Sequence, residues 1–523
     1  MSENSAPPVA RPFFRGEWCD GVPVATGQAV WESAPPLADS GIGTLRGAWC
    51  WDGETLTAEV DTFGFHTLFY HEKDGVVMVS PSLLELVAQG ADCTPDSRAL
   101  AVFHRMGIFI HDDTPLRHVR SLPPGGRLIW SNGKLHVSGH TDMPVAQQIS
   151  REDAVEGMIT LFRDAMRRTL AGWDGALTLP LSGGRDSRHI LLELRHQGRP
   201  PDVCVTFHHN GAHMNPEALA ARALCVRTGA RHDVLGHARP RLADALRALV
   251  MTGLCADEHA QMMPLHDYFL GRAGAGFDGI AGDILTNPDN DAERFFRLAE
   301  KGDYRAIARG MIEGHGRVIS QHGSGGAGAL WSPGRDDEVA EYVGAAIAAY
   351  GDAPDPYQMF WFYHRTRREI NFVPQAILSP AKIVFCPYLD ETFARFCLSL
   401  PYHVTCDQQL HNDAIARAYP DCADIPYAEG FSAPPAAAGS WGHKARSLGD
   451  VWRIAGALAP TRRMRAACDF LRPRSHLRRG PDAIYRLHAM CLDGLDAARA
   501  RMLLELADEL EAARPHALVS DAI

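Results

Sequence analysis

The sequence lacks the marks of several specialised classes. No run of about 18 apolar residues occurs in its 523 residues, so no membrane-spanning helix is expected. Residues 1–11 hold no basic segment followed by an apolar one, so no secretory signal is expected either. The twelve cysteines are scattered from Cys19 to Cys491 without a C-x-x-C, which argues against a zinc ribbon and a disulfide framework. Reduced, buried thiols in a cytoplasmic protein are the expectation. The 25 histidines include no H-E-x-x-H. Basic residues are also in deficit: 52 Lys and Arg stand against 63 Asp and Glu, a net charge of −11 spread along the chain. Nucleic acid is therefore not an expected partner, because phosphate binding needs a basic face.

What is present is an ordinary globular balance, 46% apolar and 22% charged. Over residues 1–148 short apolar runs are separated by Gly, Pro and Asp. Residues 44–51, 56–61, 67–71, 76–80, 127–131 and 134–138 read as strands. Trp51-Asp52-Gly53 and Lys73-Asp74-Gly75 read as hairpin turns, since Asp-Gly tolerates positive φ. A helix over residues 81–88, with Ser80 as its N-cap, interrupts them. The pattern changes near Ser150, which with Asp153 opens a helix in the manner of a capping box. Val155, Met158, Ile159, Phe162, Met166 and Leu170 then repeat at helical spacing. Strand-like residues 176–181 precede a helix over 186–197, and strand-like 203–207 precede one over 216–228. This rhythm predicts an α/β domain over residues 149–523, with a parallel sheet covered by helices. From about residue 241 the chain reads as helical except for a buried strand over 276–281, and it ends in an amphipathic helical tail over 490–513. Residues 323–328 and 432–440 read as loops.

The strongest chemical signal is Leu181-Ser182-Gly183-Gly184-Arg185-Asp186-Ser187, between a strand and a helix. A Gly-Gly turn brings backbone N–H groups close to an anion, and the helix start adds its positive end. Ser182 and Ser187 supply hydroxyls, and Asp186 stands where a carboxylate could hold Mg²⁺ on phosphate oxygens. A diphosphate fits; a Walker loop would need a Lys before its last Ser or Thr. Arg185 and Arg188 read equally well as phosphate contacts or as exposed helix residues. Ala281-Gly282-Asp283 ends the strand at 276–281 and faces the same crevice, which makes Asp283 a second candidate metal ligand. Cys255, Asp257, Glu258 and His259, and separately His208, His209 and His213, lie close in sequence but read as scattered polar residues of the surface or as satisfied core histidines.

These segments resemble the asparagine synthetase B-like superfamily, whose members include asparagine synthetases, β-lactam synthetases and lasso-peptide cyclases. Ser182 to Ser187 is similar to its S-G-G-x-D-S pyrophosphate loop. Asn215-Pro216-Glu217-Ala218 sits where the family opens the next helix, and Pro387-Tyr388-Leu389-Asp390 resembles its P-F-L-D. Thr366-Arg367-Arg368-Glu369 sits where an Arg-rich segment lines the substrate pocket. Residues 61–70 resemble D-x-x-G-x-x-P-L-Y-Y of the glutaminase half, and Leu122-Pro123-Pro124-Gly125 its L-P-P-G turn. The resemblance implies a four-layer αββα Ntn-hydrolase-like domain over 1–148 and an ATP-pyrophosphatase domain over 149–523. It implies ATP contacts at Leu181 to Ser187, Val205, Phe207 and Gly282, and Mg²⁺ on Asp186 and Asp283. Substrate contacts fall to Arg368, Glu369, Tyr388 and Asp390.

Two departures matter. Position 2 is Ser2, not the family's N-terminal cysteine, and the N-G-E-I-Y-N segment is missing, so glutamine hydrolysis is not expected. The family lysine about 22 residues beyond the P-F-L-D aspartate is also missing: Asn412 stands there, beside His411, and Lys382 and Lys444 are the nearest lysines. His411 is a candidate base near neutral pH. The expected activity is therefore an AMP-forming carbon–nitrogen ligase. It would adenylate a carboxylate and join it to an amine, most simply the substrate's own, giving a lactam or peptide macrolactam in natural-product biosynthesis. An amide ligase using free ammonia or a second amine, and a non-catalytic scaffold, are the alternatives. The partners would be a small molecule or precursor peptide and companion biosynthetic proteins.

Overall fold

Alternation of apolar and polar residues builds two antiparallel sheets in the first part of the chain. The strands are β1 (Phe14–Cys19), β2 (Val22–Gly27), β3 (Val30–Glu32), β4 (Gly47–Trp51), β5 (Thr55–Val60), β6 (Phe69–Lys73), β7 (Val76–Ser80), β8 (Val119–Ser121), β9 (Arg127–Ser131) and β10 (Lys134–Ser138). They are ordered β2-β1-β7-β6-β8 and β10-β9-β5-β4-β3. The computed structural model describes residues 11–19, 21–33, 45–207, 215–236, 241–286, 292–323, 335–432, 441–471, 482–513 and 518–519. His208, His209, His213 and most of the two anticipated loops lie outside them.

The two sheets face each other across Phe14, Val77 and Val79 on one side and Trp49, Leu56, Ala58, Leu128 and Trp130 on the other. Gly16 is required here, because a Cβ at that position would stand 2.6 Å from the Trp130 ring. The outer face of the first sheet is covered by α1 (Leu83–Ala88) and α2 (Ser97–Met106), through Phe69, Met78, Leu86, Leu100 and Phe103. Cys50, Glu59 and Arg127 on the outer face of the second sheet are exposed. Among the described residues the sandwich thus has three layers instead of the anticipated four. The N-cap of α1 is Ser82, whose hydroxyl accepts the Glu85 N–H at 3.3 Å. Ser80, expected in that role, is the last residue of β7 and donates its hydroxyl to the Pro12 carbonyl at 2.7 Å.

Beyond α3 (Arg151–Leu170), capped by Ser150, lies the second sheet system. β11 (Leu177–Pro180), β12 (Val203–Phe207), β13 (His232–Gly236), β14 (Ala275–Phe277), β15 (Ile383–Phe385) and β16 (Leu518–Val519) stand in the order β15-β14-β11-β12-β13-β16. All neighbours are parallel except β13 and β16. α4 (Asp186–His196) and α5 (Pro216–Thr228) connect the central strands, so the anticipated parallel α/β rhythm is present. No described helix is long and apolar enough to cross a membrane.

Residues 361–377 seat this system on the first sandwich. Trp361–Ile370 and Val373–Ile377 are π-helical, with the Asn371 N–H bonded to the Thr366 carbonyl at 3.0 Å, five residues back. Arg367 donates to the His111 carbonyl at 2.6 Å, and Arg368 to the Asp113 carbonyl at 2.6 Å. Asn371 and Gln375 bond the carbonyls of Phe65 and Thr67. The anticipated tail is two helices, Asp482–Leu492 and Ala497–Ala512, separated at Gly494 (φ 62°) and restarted by the Asp496 cap.

Candidate functional site

The carboxyl ends of β11, β12, β14 and β15 open on one crevice, where ligands bind in open α/β sheets. The 181–187 loop is held there by the sheet: the Leu181 N–H donates to the Val205 carbonyl at 2.8 Å, and Thr206 Oγ1 donates to the Leu181 carbonyl at 2.6 Å. Its hydroxyls brace the turn from inside. The Ser182 N–H donates to Ser187 Oγ at 3.0 Å, and the Gly184 N–H to Ser182 Oγ at 3.2 Å. Gly183 is required by close approach, since a Cβ would stand 2.8 Å from the Glu217 Cα and 2.6 Å from the Ala428 Cβ. Asn215 caps α5, with Pro216 in its first turn. Val205 is buried and Phe207 is half-buried at the strand end.

Asp186 is the first residue of α4, with a quarter (26%) of its side chain exposed. Gly279 and Gly282 cradle it: a Cβ would lie 2.9 Å from the Asp186 Cβ at the first position and 2.7 Å from its carboxylate carbon at the second. Its Oδ1 is buried without a hydrogen-bond partner. Burial, then the nearby Asp283 and Asp278 charges, push its carboxyl well above the usual range, against the opposing pull of Arg185. Burial pushes Asp278 up to about 7. Asp186, with its unpartnered oxygen, and the exposed Asp283 are the carboxylates here that could hold a divalent cation. Arg185 also has a buried guanidinium nitrogen (Nη1) without a partner. Arg188, by contrast, is structural: it donates to the Ile425 and Pro426 carbonyls at 2.7 Å each and lies over the Tyr427 ring.

His411 is buried behind the loop, not on a helix surface. Its Nδ1 lies 3.1 Å from Thr286 Oγ1 and 3.5 Å from Asp186 Oδ1, and its Nε2 lies 3.0 Å from His189 Nδ1. Burial, with His189 and Arg185 adding to it, holds it well below the normal histidine range, so the ring is neutral. His411 therefore backs Asp186 and does not meet substrate from the crevice side. His189 in turn stacks on Phe162 at 3.9 Å between ring centres.

The four residues expected to touch substrate separate. Tyr388 is fully buried and donates its hydroxyl to the Asp186 carbonyl at 3.0 Å, so it braces the loop. Asp390 caps the helix Glu391–Leu398 and accepts Arg168 at 2.7 Å. Arg368 faces the first sandwich. Glu369 lies against Asp257 and Glu258. It is buried, its Oε1 has no hydrogen-bond partner, and its Oε2 lies 3.7 Å from Arg365 Nε. Arg365 also donates to Glu258 at 3.2 Å and feels the Asp283 charge. Lys382 immediately precedes β15, at the opposite end of the sheet, and is exposed. Sequence reading missed Asp278, Arg365, His189 and Thr286. The single signal for Asp278 was its place at the end of a buried strand.

No protein-family model matches the chain, and no curated protein matches it.

Proposed function

We propose that this chain is an ATP-dependent, AMP-forming amide ligase with an ATP-pyrophosphatase-like second half and an Ntn-hydrolase-like first half that hydrolyses no glutamine. The observation that carries this reading is the glycine-cradled Asp186, which opens α4 after a Ser-Gly-Gly loop and shares its crevice with Asp278 and Asp283. In the first step a substrate carboxylate oxygen attacks the α-phosphorus of ATP. The bond to the bridging oxygen breaks and pyrophosphate leaves. The loop and the unpartnered Arg185 nitrogen bind the phosphates. Asp186 and Asp283 would hold Mg²⁺, with Asp278 beside them; bound there, the ion offsets the charge of the departing pyrophosphate. In the second step an amine nitrogen attacks the acyl carbon, the bond to the AMP oxygen breaks, and the amine proton passes to Glu369. Arg365 supplies the positive charge for which the family uses its lysine. The amine is the substrate's own, which makes the product a lactam or macrolactam from a small molecule or precursor peptide.

The test is release of AMP and pyrophosphate from ATP by the purified protein, with small-molecule and peptide fractions of producer-cell extract. Release that depends on one fraction and is lost in Asp186→Asn supports the ligase. Release that also needs added ammonia or a second amine points to the intermolecular form. No release, with no thermal shift on adding ATP and Mg²⁺, leaves a non-catalytic scaffold.

A further inference from the structure

We infer that His189, His411 and Thr286 form a one-way hydrogen-bond relay that clamps the Asp283 turn onto the start of α4, where Asp186 stands. Both histidines carry their proton on Nδ1, and His411 is a positioning residue for the cation site. That positioning role rests on the ligase reading; the relay and its tautomers go beyond it. The contacts themselves fix the direction. Thr286 Oγ1 lies 2.6 Å from the Gly282 carbonyl, one turn back in the helix Gly282–Thr286. A carbonyl only accepts, so the hydroxyl proton goes there. The Thr286 oxygen is then free to accept, and His411 Nδ1–H reaches it at 3.1 Å. His411 is fully buried and neutral, so its Nε2 carries a lone pair. That lone pair takes the Nδ1–H of His189 at 3.0 Å. The Tyr388 hydroxyl, 3.4 Å from the same Nε2, already gives its proton to the Asp186 carbonyl.

The reverse direction fails on two counts. It would leave the Thr286 oxygen 2.6 Å from a carbonyl oxygen with no proton between them. It would also make His189 Nε2, which is buried without a partner, an orphan N–H donor, where the relay leaves only an unused lone pair. The relay closes a ring. His189 stands one turn after Asp186 in α4, and Thr286 one turn after Gly282. A Cβ on Gly282 would stand 2.7 Å from the Asp186 carboxylate carbon, so the carboxylate packs directly on this backbone. The Gly282 carbonyl that accepts Thr286 belongs to the peptide leading into Asp283. Asp186 Oδ1 has no hydrogen bond of its own, and 3.5 Å separates it from His411 Nδ1. The walls around it therefore set its position, and the relay fixes the wall that carries the second carboxylate. Apolar side chains at 286 and 411 could fill the same core, but they would not hold the Gly282 carbonyl.

Magic-angle-spinning NMR of the full chain, labelled with ¹⁵N-histidine, reads each tautomer from its Nδ1 and Nε2 shifts. Difference spectra against His189→Asn and His411→Asn assign the two rings. Both are expected as Nδ1–H near neutral pH. The Nε2–H tautomer on either ring, or an imidazolium, overturns the relay, and this needs only wild-type protein to be folded. The positioning role is read as Mn²⁺ affinity by electron paramagnetic resonance, without ATP. His411→Leu and Thr286→Val are expected to weaken Mn²⁺ binding by about tenfold or more. His411→Asn, whose amide places an N–H near the position of Nδ1, and Thr286→Ser, which keeps the hydroxyl, are expected to recover most of that loss. Equal loss in all four variants, or loss in none, overturns the positioning role. Wild-type protein that binds no Mn²⁺ defeats the cation site of the ligase reading and the positioning role with it, while the tautomers decide the relay on their own.

Discussion

Gly282 and Asp186 share a space that holds only one side chain: a Cβ on Gly282 would stand 2.7 Å from the Asp186 carboxylate carbon and 3.0 Å from its Cβ. The carboxylate cannot swing aside freely, because Asp186 opens α4 and its carbonyl accepts the Tyr388 hydroxyl. Gly282→Ala is therefore expected to displace the carboxylate and to weaken ATP·Mg²⁺ binding at least tenfold, about 1.4 kcal/mol, by calorimetry. Gly449→Ala, where a Cβ meets open space on a helix, is the control and leaves affinity unchanged. Equal affinities in all three proteins would refute the cradle.

The same turn carries a strained residue. Ala281 has φ +72°, in the left-handed region where a Cβ costs roughly 1 kcal/mol. It is buried between Ile280 and Gly282, so its neighbours impose the conformation. Ala281→Gly is expected to raise unfolding free energy by about 0.5 kcal/mol in denaturant titration, the strain relieved less the entropy glycine adds to the unfolded chain. A loss of that size would mean that the Ala281 methyl packing outweighs the strain.

What was legible in the sequence was local. The strand over 203–207 and the helix over 216–228 were readable because Asn215 and Pro216 mark the helix start and the strand is a continuous apolar run. The Ser-Gly-Gly-Arg-Asp-Ser loop was readable because its chemistry is contiguous. β1 and β2 were not, since Arg15, Gly16 and Glu17 interrupt the apolar pattern and the register depends on Val77 and Val79 opposite. β14 overlaps the strand expected over 276–281 but stops at Phe277, and β15, with three residues, is too short for a period. Arg365 and Glu369 stand at i and i+4 and share one helix face, as helical spacing predicts, while Arg367 and Arg368 reach the first sandwich. Glu369 meets Asp257 across more than a hundred residues, which nothing along the chain signals.

His104 gives a pH test of the packing between the first sandwich and the C-terminal helices. Both its ring nitrogens are buried without partners, and Phe103, Tyr485 and His488 surround it. Burial, then the charges of His488 and Arg105, push it down to about 3. The unfolded chain titrates near 6.5, so between these values the unfolded state binds the extra proton and stability falls as pH falls. His104→Leu removes this term. Relative to wild type, the variant is expected to gain about 2 kcal/mol on going from pH 7.5 to pH 5. A difference that does not change with pH would show that His104 is not held neutral.

Glu511 tests the opposite sign at the far end of the chain. It lies on the helix Ala497–Ala512 and accepts Arg247 at 3.0 Å and His266 at 2.9 Å. Burial by itself would raise this carboxyl, but His266 and Arg247 outweigh it and hold it at about 2. A carboxylate held below its unfolded value of about 4.3 stabilises the fold above that pH, and the gain disappears as pH falls toward 2. Arg247 is itself buried and keeps Asp244 and Asp267 as partners, so the substitution removes the Glu511 contacts to Arg247 and His266 and leaves the rest of the cluster in place. Glu511→Gln is expected to lower unfolding free energy by about 2 kcal/mol at pH 7, with the gap to wild type closing below about pH 4. The helix would loosen with it. Amide exchange across residues 497–512 should then rise more than across α3, which distinguishes loss of this tether from a general loss of stability.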